Sequence, residues 1–153
     1  MTEFAFGHNR IRVDVERTRV WYDACGKPAA GCTCGNCRNF IAAASLLPKE
    51  VGEVLAPLGL TLLKTAEVME WCREADGRHW YTLQYHLAGE LVEKGEGTVQ
   101  IAPEVTVGFA EGSGPFLKNF PEPFFQLFLD LRLPWVLDKT NNKSKSLLQE
   151  NAQ

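Results

Sequence analysis

Four of the five cysteines, Cys25, Cys32, Cys34 and Cys37, fall in the stretch CGKPAAGCTCGNCRNF that ends at Phe40. Their spacing is Cys25-x6-Cys32-x-Cys34-x2-Cys37. Cys34 and Cys37 form a C-x-x-C knuckle of the kind that holds zinc, and a Gly-rich loop can wrap four thiolates around one tetrahedral ion. Cys32-x-Cys34 is tighter than the usual second pair. All four are candidate ligands of a structural zinc. Two other readings stand beside that one. Cys34 and Cys37 would serve as a redox dithiol, because a helix N-terminus stabilises a thiolate and would lower the pKa of Cys37. Burial alone would also account for Cys37, which shares a helical stripe with Phe40 and Ile41, since cysteine is among the most buried residue types. An iron–sulfur cluster would use the same ligands, but no further feature favours it. Cys72, alone in a probable strand, reads as a core residue.

No second constellation competes with the cysteines. His79 and His86 lie an odd number of residues apart on one strand pattern and so face opposite ways, with His8 far off in sequence. GFAEGSGP is Gly-rich and follows a strand pattern, but it lacks the GK[ST] ending and opens no helix, so it reads as a connection. Glu111, Glu122 and Asp130 supply carboxylates without a spacing that pairs them for acid/base work. No GxSxG elbow is present and no nucleophile matches a base. Outside the cysteines the sequence therefore offers no catalytic residue.

The 153 residues carry a formal net charge of −3 and no basic stripe outside the last fifteen, which speaks against nucleic acid as a partner. With 45% apolar and 23% charged residues the composition is globular. Apolar runs are far shorter than the ~20 residues that span a bilayer, and MTEFAFGHNRIRVDVE lacks the pattern of a secretory leader. Bunched cysteines in odd number without a leader point to a reducing cytoplasm and to metal or redox chemistry rather than a disulfide framework.

The elements that must position the cysteines follow from periodicity. Ile11, Val13 and Val15 alternate with Arg10, Arg12 and Asp14 as a half-buried strand, and Thr18, Val20 and Tyr22 continue it after a turn or bulge. From Asn36, a plausible N-cap, Cys37, Phe40, Ile41 and Ala44 take helical spacing. Pro48 separates that helix from a second, with Val51, Val54, Leu55 and Leu58 on its stripe, Pro57 distorting its last turn and Gly59 as its stop. Residues 66–73 fit helix or strand, with strand favoured because Asp76-Gly77 is a hairpin signal. Residues 79–92 alternate most clearly. Val99 to Phe109 read as one strand interrupted at Pro103, and residues 124–133 as another. Phe124 and Phe128 on the polar face of the last strand imply a cover, either from this chain or from a second subunit. The expected architecture is α+β: a mostly antiparallel sheet of about five strands with a helical hairpin packed on one face. Residues 1–138 form a single domain in this reading, and 139–153 a polar tail, frayed or disordered.

At CTCGNCRNF and again at LPWVL the chain resembles an uncharacterised bacterial family that combines a CxxCRNF run, a YHLAGE-like strand and a Leu-Pro-Trp ending. Cys34, Cys37, Arg38, Asn39 and Phe40 match the first motif, Tyr85, His86 and Gly89 the second, and Leu133, Pro134 and Trp135 the third. The resemblance spans residues 10–137 and implies a domain to which no activity is attached. The reading that results is a non-catalytic domain that binds a protein partner or itself, its cysteine loop organised by zinc or by burial. The alternatives are a small thiol-redox enzyme using Cys34 and Cys37, and a neutralising or adaptor protein for a partner.

Overall fold

The computed structural model describes residues 1–26, 31–112, 117 and 119–137. The expected polar tail falls outside these residues, as does most of GSGP in the Gly-rich connection. The class is α+β, but the sheet has seven strands rather than about five, and three short helices stand where a helical hairpin was expected. The strands are β1 (Thr2–Phe6), β2 (Asn9–Val13), β3 (Glu67–Arg73), β4 (His79–Glu93), β5 (Val99–Ala102), β6 (Val105–Glu111) and β7 (Phe124–Leu133). Three helices accompany them: α1 (Val15–Asp23), α2 (Gly35–Ala43) and α3 (Lys49–Leu55). Strand order is β1-β2-β4-β7-β6-β5, with β3 also pairing β4, and every pairing is antiparallel.

Several expectations hold. Residues 67–73 are strand, residues 79–93 form the longest strand, and 124–133 is β7. The second helix ends as its residues require: Pro57 lies in a 3-10 turn, Ala56–Leu58, and Gly59 follows at φ 87°. A Cβ on Gly59 would meet the carbonyl oxygen of Val15 at 2.6 Å, so both conformation and space demand glycine.

Three expectations are corrected. Residues 15–23 are helix, not a continued strand. Asp14 caps that helix, its Oδ1 accepting from the Arg17 N–H at 3.1 Å. Thr18 and Tyr22, which read as alternate strand positions, are also i and i+4 on one helical face, and both are buried. Val20, between them, is 55% exposed. Second, Pro103 does not interrupt one strand but sits in the turn of a hairpin, with Glu104 at φ 60°, so Val99–Phe109 becomes β5 and β6. Third, α2 is capped at Cys34 rather than Asn36.

β4 organises the molecule. One of its edges pairs with β7 from His79↔Leu133 to Ala88↔Phe124. The opposite edge is divided between β3, along 79–84, and β2, along 89–93. Among the described residues no strand covers the interval between them, and side chains of α1 together with its N-cap residue Asp14 supply the missing partners. The His86 N–H donates to the Tyr22 hydroxyl at 2.8 Å, and that hydroxyl donates back to the His86 carbonyl at 3.2 Å. The Ala88 N–H donates to Thr18 Oγ1 at 3.0 Å, and the Asp14 N–H to the Ala88 carbonyl at 2.8 Å. Buried amides are thereby satisfied where the ladder is broken. Gly89 follows at φ 135°, where a Cβ would lie 2.0 Å from the Arg12 carbonyl oxygen.

Tyr81, Leu83, Tyr85 and Leu87 of β4 face the helices and are fully buried. The other face of β4 is buried as well over Thr82, Gln84 and His86. The same chain covers part of it: His86 stacks on Phe124 with centroids 4.8 Å apart and meets Phe120 at 5.4 Å. Phe124 thus has the intramolecular cover its position called for. Burial drives the His86 imidazole down to about 4, because the charged form loses its hydration.

Two predictions follow from β4. Tyr22→Phe strands a buried N–H and C=O of His86 and should lower stability by about 1–3 kcal/mol in urea unfolding; an unchanged midpoint would show that the hydroxyl is not what holds this edge. For His86, the unfolded imidazole (near pH 6.5) takes up a proton before the folded one does (near pH 4). Its contribution is therefore complete above pH 6.5 and lost as pH falls toward 4. Proton uptake on unfolding at pH 5 should drop by about one in His86→Gln, measured from the pH dependence of the denaturation midpoint.

Candidate metal centre

Cys32, Cys34 and Cys37 converge, their Sγ atoms all within 4.8 Å of one another. All three are free thiols. In a tetrahedral zinc site with Zn–S near 2.3 Å the sulfurs lie about 3.8 Å apart, so a small closure brings three sulfurs onto one ion. The local chain explains the convergence. Cys34 is the N-cap residue of α2, with extended backbone at φ −67° and ψ 170°. Cys37 stands one turn further on, which returns its side chain to the cap. Cys32 precedes the cap by two residues, and its sulfur accepts from the Cys34 N–H at 3.5 Å.

The three thiols differ in environment. Cys32 and Cys34 are exposed, whereas Cys37 is 3% exposed. The backbone N–H of Cys37, with the Cys32 thiol in second place, holds the Cys34 thiol below the usual thiol range. Burial pushes Cys37 well above that range, and the Cys32 and Cys34 thiols add to the rise. Cys37 is thus buried, as its helical stripe implied, and stands beside the other two thiols, but its pKa is raised where the helix N-terminus was expected to lower it.

Cys25 stands apart from the three. It follows the end of α1, and its thiol donates to the Trp21 carbonyl at 3.4 Å. Burial raises its pKa, with Lys64 opposing. Residues 27–30, which join it to Cys32, lie outside the described residues. Cys72, expected in the core, is exposed: a bulge between Glu70 and Cys72 breaks the alternation of β3 and turns its end outward.

A buried amide fixes the cluster to the sheet. Asn39 is fully buried on α2, and its Nδ2 donates to the Pro134 carbonyl at 3.2 Å and the Tyr81 hydroxyl at 3.3 Å. Its Oδ1 accepts from the Val136 N–H at 2.7 Å. The Tyr81 hydroxyl donates in turn to the Asn36 carbonyl at 3.0 Å, in the first turn of α2. Burial, with Glu70, Cys37 and Cys34 adding, pushes Tyr81 up to about 12, so it stays a donor. The CRNF and LPW stretches, distant in sequence, therefore meet through Asn39.

Beside the cluster, an open cleft of about 530 Å³ lies between Asn36, the β3–β4 hairpin and Trp135. It holds a pair that sequence reasoning passed over: His79 Nδ1 is 2.8 Å from Glu70 Oε2. The two are nine residues apart across a hairpin, and only the register of β3 on β4 brings them together. The available signal was the Asp76-Gly77 turn, which implies the hairpin, while the bulge between Glu70 and Cys72 sets the register at Glu70. His79 and His86 do face opposite sides of β4, as their spacing required. Glu111, Glu122 and Asp130 form no group with potential metal ligands among the described residues.

No protein-family model, curated protein or solved structure matches the chain. The cysteine cluster and its surroundings carry the functional reading by themselves.

The difference between the two knuckle thiols should be visible in their reactivity. Iodoacetamide at neutral pH should label Cys34 well before Cys37, measured by peptide mass spectrometry over time. Equal rates at both positions would contradict the helix-terminus assignment.

Proposed function

We propose that the chain is a non-catalytic domain whose Cys32, Cys34 and Cys37 hold a structural zinc ion. The observation that carries this reading is the convergence of three free thiols, two of them from a C-x-x-C knuckle on a helix N-terminus. Thiolates of this kind suit zinc, and the donor set is too soft for calcium or magnesium. A structural zinc takes four ligands, and Cys25, at the far end of the Gly-rich loop, is the candidate for the fourth once its thiol leaves the Trp21 carbonyl. The ion would tie the loop to α2 and, through Asn39, to the strand-end segment Pro134–Val136. A loop pinned in this way is a surface for a protein partner or a second copy of the chain. In the described residues no helix is long and apolar enough to cross a membrane.

A second reading is favoured by one observation. An exposed thiol of lowered pKa beside a buried thiol of raised pKa is the arrangement of a nucleophilic and a resolving cysteine in dithiol exchange. Cys32, a third thiol at the same point, weighs toward metal.

Cobalt substitution separates the two. The full chain should bind one Co²⁺ with thiolate-to-metal charge-transfer bands in the near ultraviolet, displaced by Zn²⁺. Cys34→Ser and Cys37→Ser should abolish these bands, and Cys25→Ser should weaken binding while leaving a three-thiolate spectrum. A metal-free chain that readily forms a Cys34–Cys37 disulfide, and takes up neither ion, would overturn the zinc reading in favour of redox chemistry.

A further inference from the structure

Strand register gathers the walls of the cleft beside the cysteine cluster. Arg73 of β3 pairs directly with His79 of β4, and His79 pairs with Leu133 of β7. These positions share the helix-side face, and Trp135 continues it two residues beyond Leu133. The Trp135 and His79 rings meet at 5.0 Å and 41°, forming an aromatic corner. The volume, about 530 Å³, is that of sites holding small organic molecules.

The charges in the cleft are unequally satisfied. Arg78 is spent on its neighbours, within 2.8 Å of Asp76 and 2.5 Å of Glu104. Glu70 is engaged by His79 Nδ1. Arg73, opposite His79, has no carboxylate partner among the described residues. With its Nδ1 on Glu70, the imidazole of His79 presents Nε2 as its remaining polar atom. The side chain of Asn36 adds a neutral donor and acceptor at the opposite wall.

We propose that this cleft binds a small planar carboxylic acid, with the carboxylate on Arg73, the ring against Trp135, and a ring hydroxyl or nitrogen read by His79 Nε2. A guanidinium matches a carboxylate in a fork of two N–H donors, and its cation favours an acid over the corresponding amide. The flat indole face accounts for the ring. The proposal does not depend on the metal: none of the three thiols lines the cleft.

The test is a titration of the full chain with salicylate, nicotinate and indole-3-carboxylate, followed by NMR of the Trp135 indole N–H and His79 ring protons. Amides of the same acids and inorganic phosphate are run as controls. The acids should shift both sets of resonances, and their amides should bind at least about tenfold more weakly. Arg73→Gln should weaken acid binding by a similar factor without changing the thermal midpoint, because Arg73 is exposed and has no carboxylate partner among the described residues. Trp135→Leu should weaken the acids and leave phosphate unaffected. Failure of all three acids to shift either resonance at millimolar concentration would overturn the proposal. So would acids and amides binding equally, Arg73→Gln binding as tightly as the parent, or phosphate competing as well as the acids.

Discussion

The bonds between α1 and the uncovered interval of β4 are what the rest of the structure depends on. Among the described residues β4 is the only strand that pairs with three others, and its second edge changes partner from β3 to β2 along its length. Such a change leaves backbone amides that neither neighbour can reach, at a place too deep for water to serve them. The hydroxyls of Thr18 and Tyr22 reach them instead. A helix at residues 15–23 suits this, because i and i+4 side chains on a helix stand about one turn apart, about 6 Å, whereas on a strand the same four residues span about 13 Å. The same packing requires Gly59 beneath the start of α1 and Gly89 against β2, where no side chain fits.

The thiol cluster is built on this frame at second hand. Cys34 and Cys37 belong to one helix turn and need little from the fold to be near each other. Their position on the molecule is set by Asn39 and Tyr81, which join α2 to β4 and to the chain leaving β7. Asn39 has three hydrogen-bond partners in a fully buried site, so it acts as a specific clamp and not only as packing. The cleft beside it has a different origin, since it is made by the ends of three neighbouring strands in register. The thiol cluster and the open cleft thus share one wall, the first turn of α2.

The readings that went astray share one cause: a local period that two structures satisfy equally. Thr18, Val20 and Tyr22 fit a strand, yet Thr18 and Tyr22 also fit one face of a helix, and Asp14 as a cap decided between them. Pro103 within an alternating run fits a bulge or a hairpin turn, and the count of strands depended on which. Cys72 fits a buried strand position until a bulge reverses its direction.

By itself the sequence determined the α+β class, the strands around 79–92 and 124–133, the helix carrying Cys37 and the knuckle pair, because each rests on local periodicity or on spacing within one turn; at 66–73 it left helix and strand both open. The tertiary structure alone decided that Cys32 joins Cys34 and Cys37 while Cys25 turns to Trp21, that Asn39 binds the Pro134–Val136 segment, and that Glu70, Arg73 and His79 share a cleft with Trp135. Those relations run through strand register and helix docking, and no spacing along the chain encodes a distance between residues brought together only when the sheet closes.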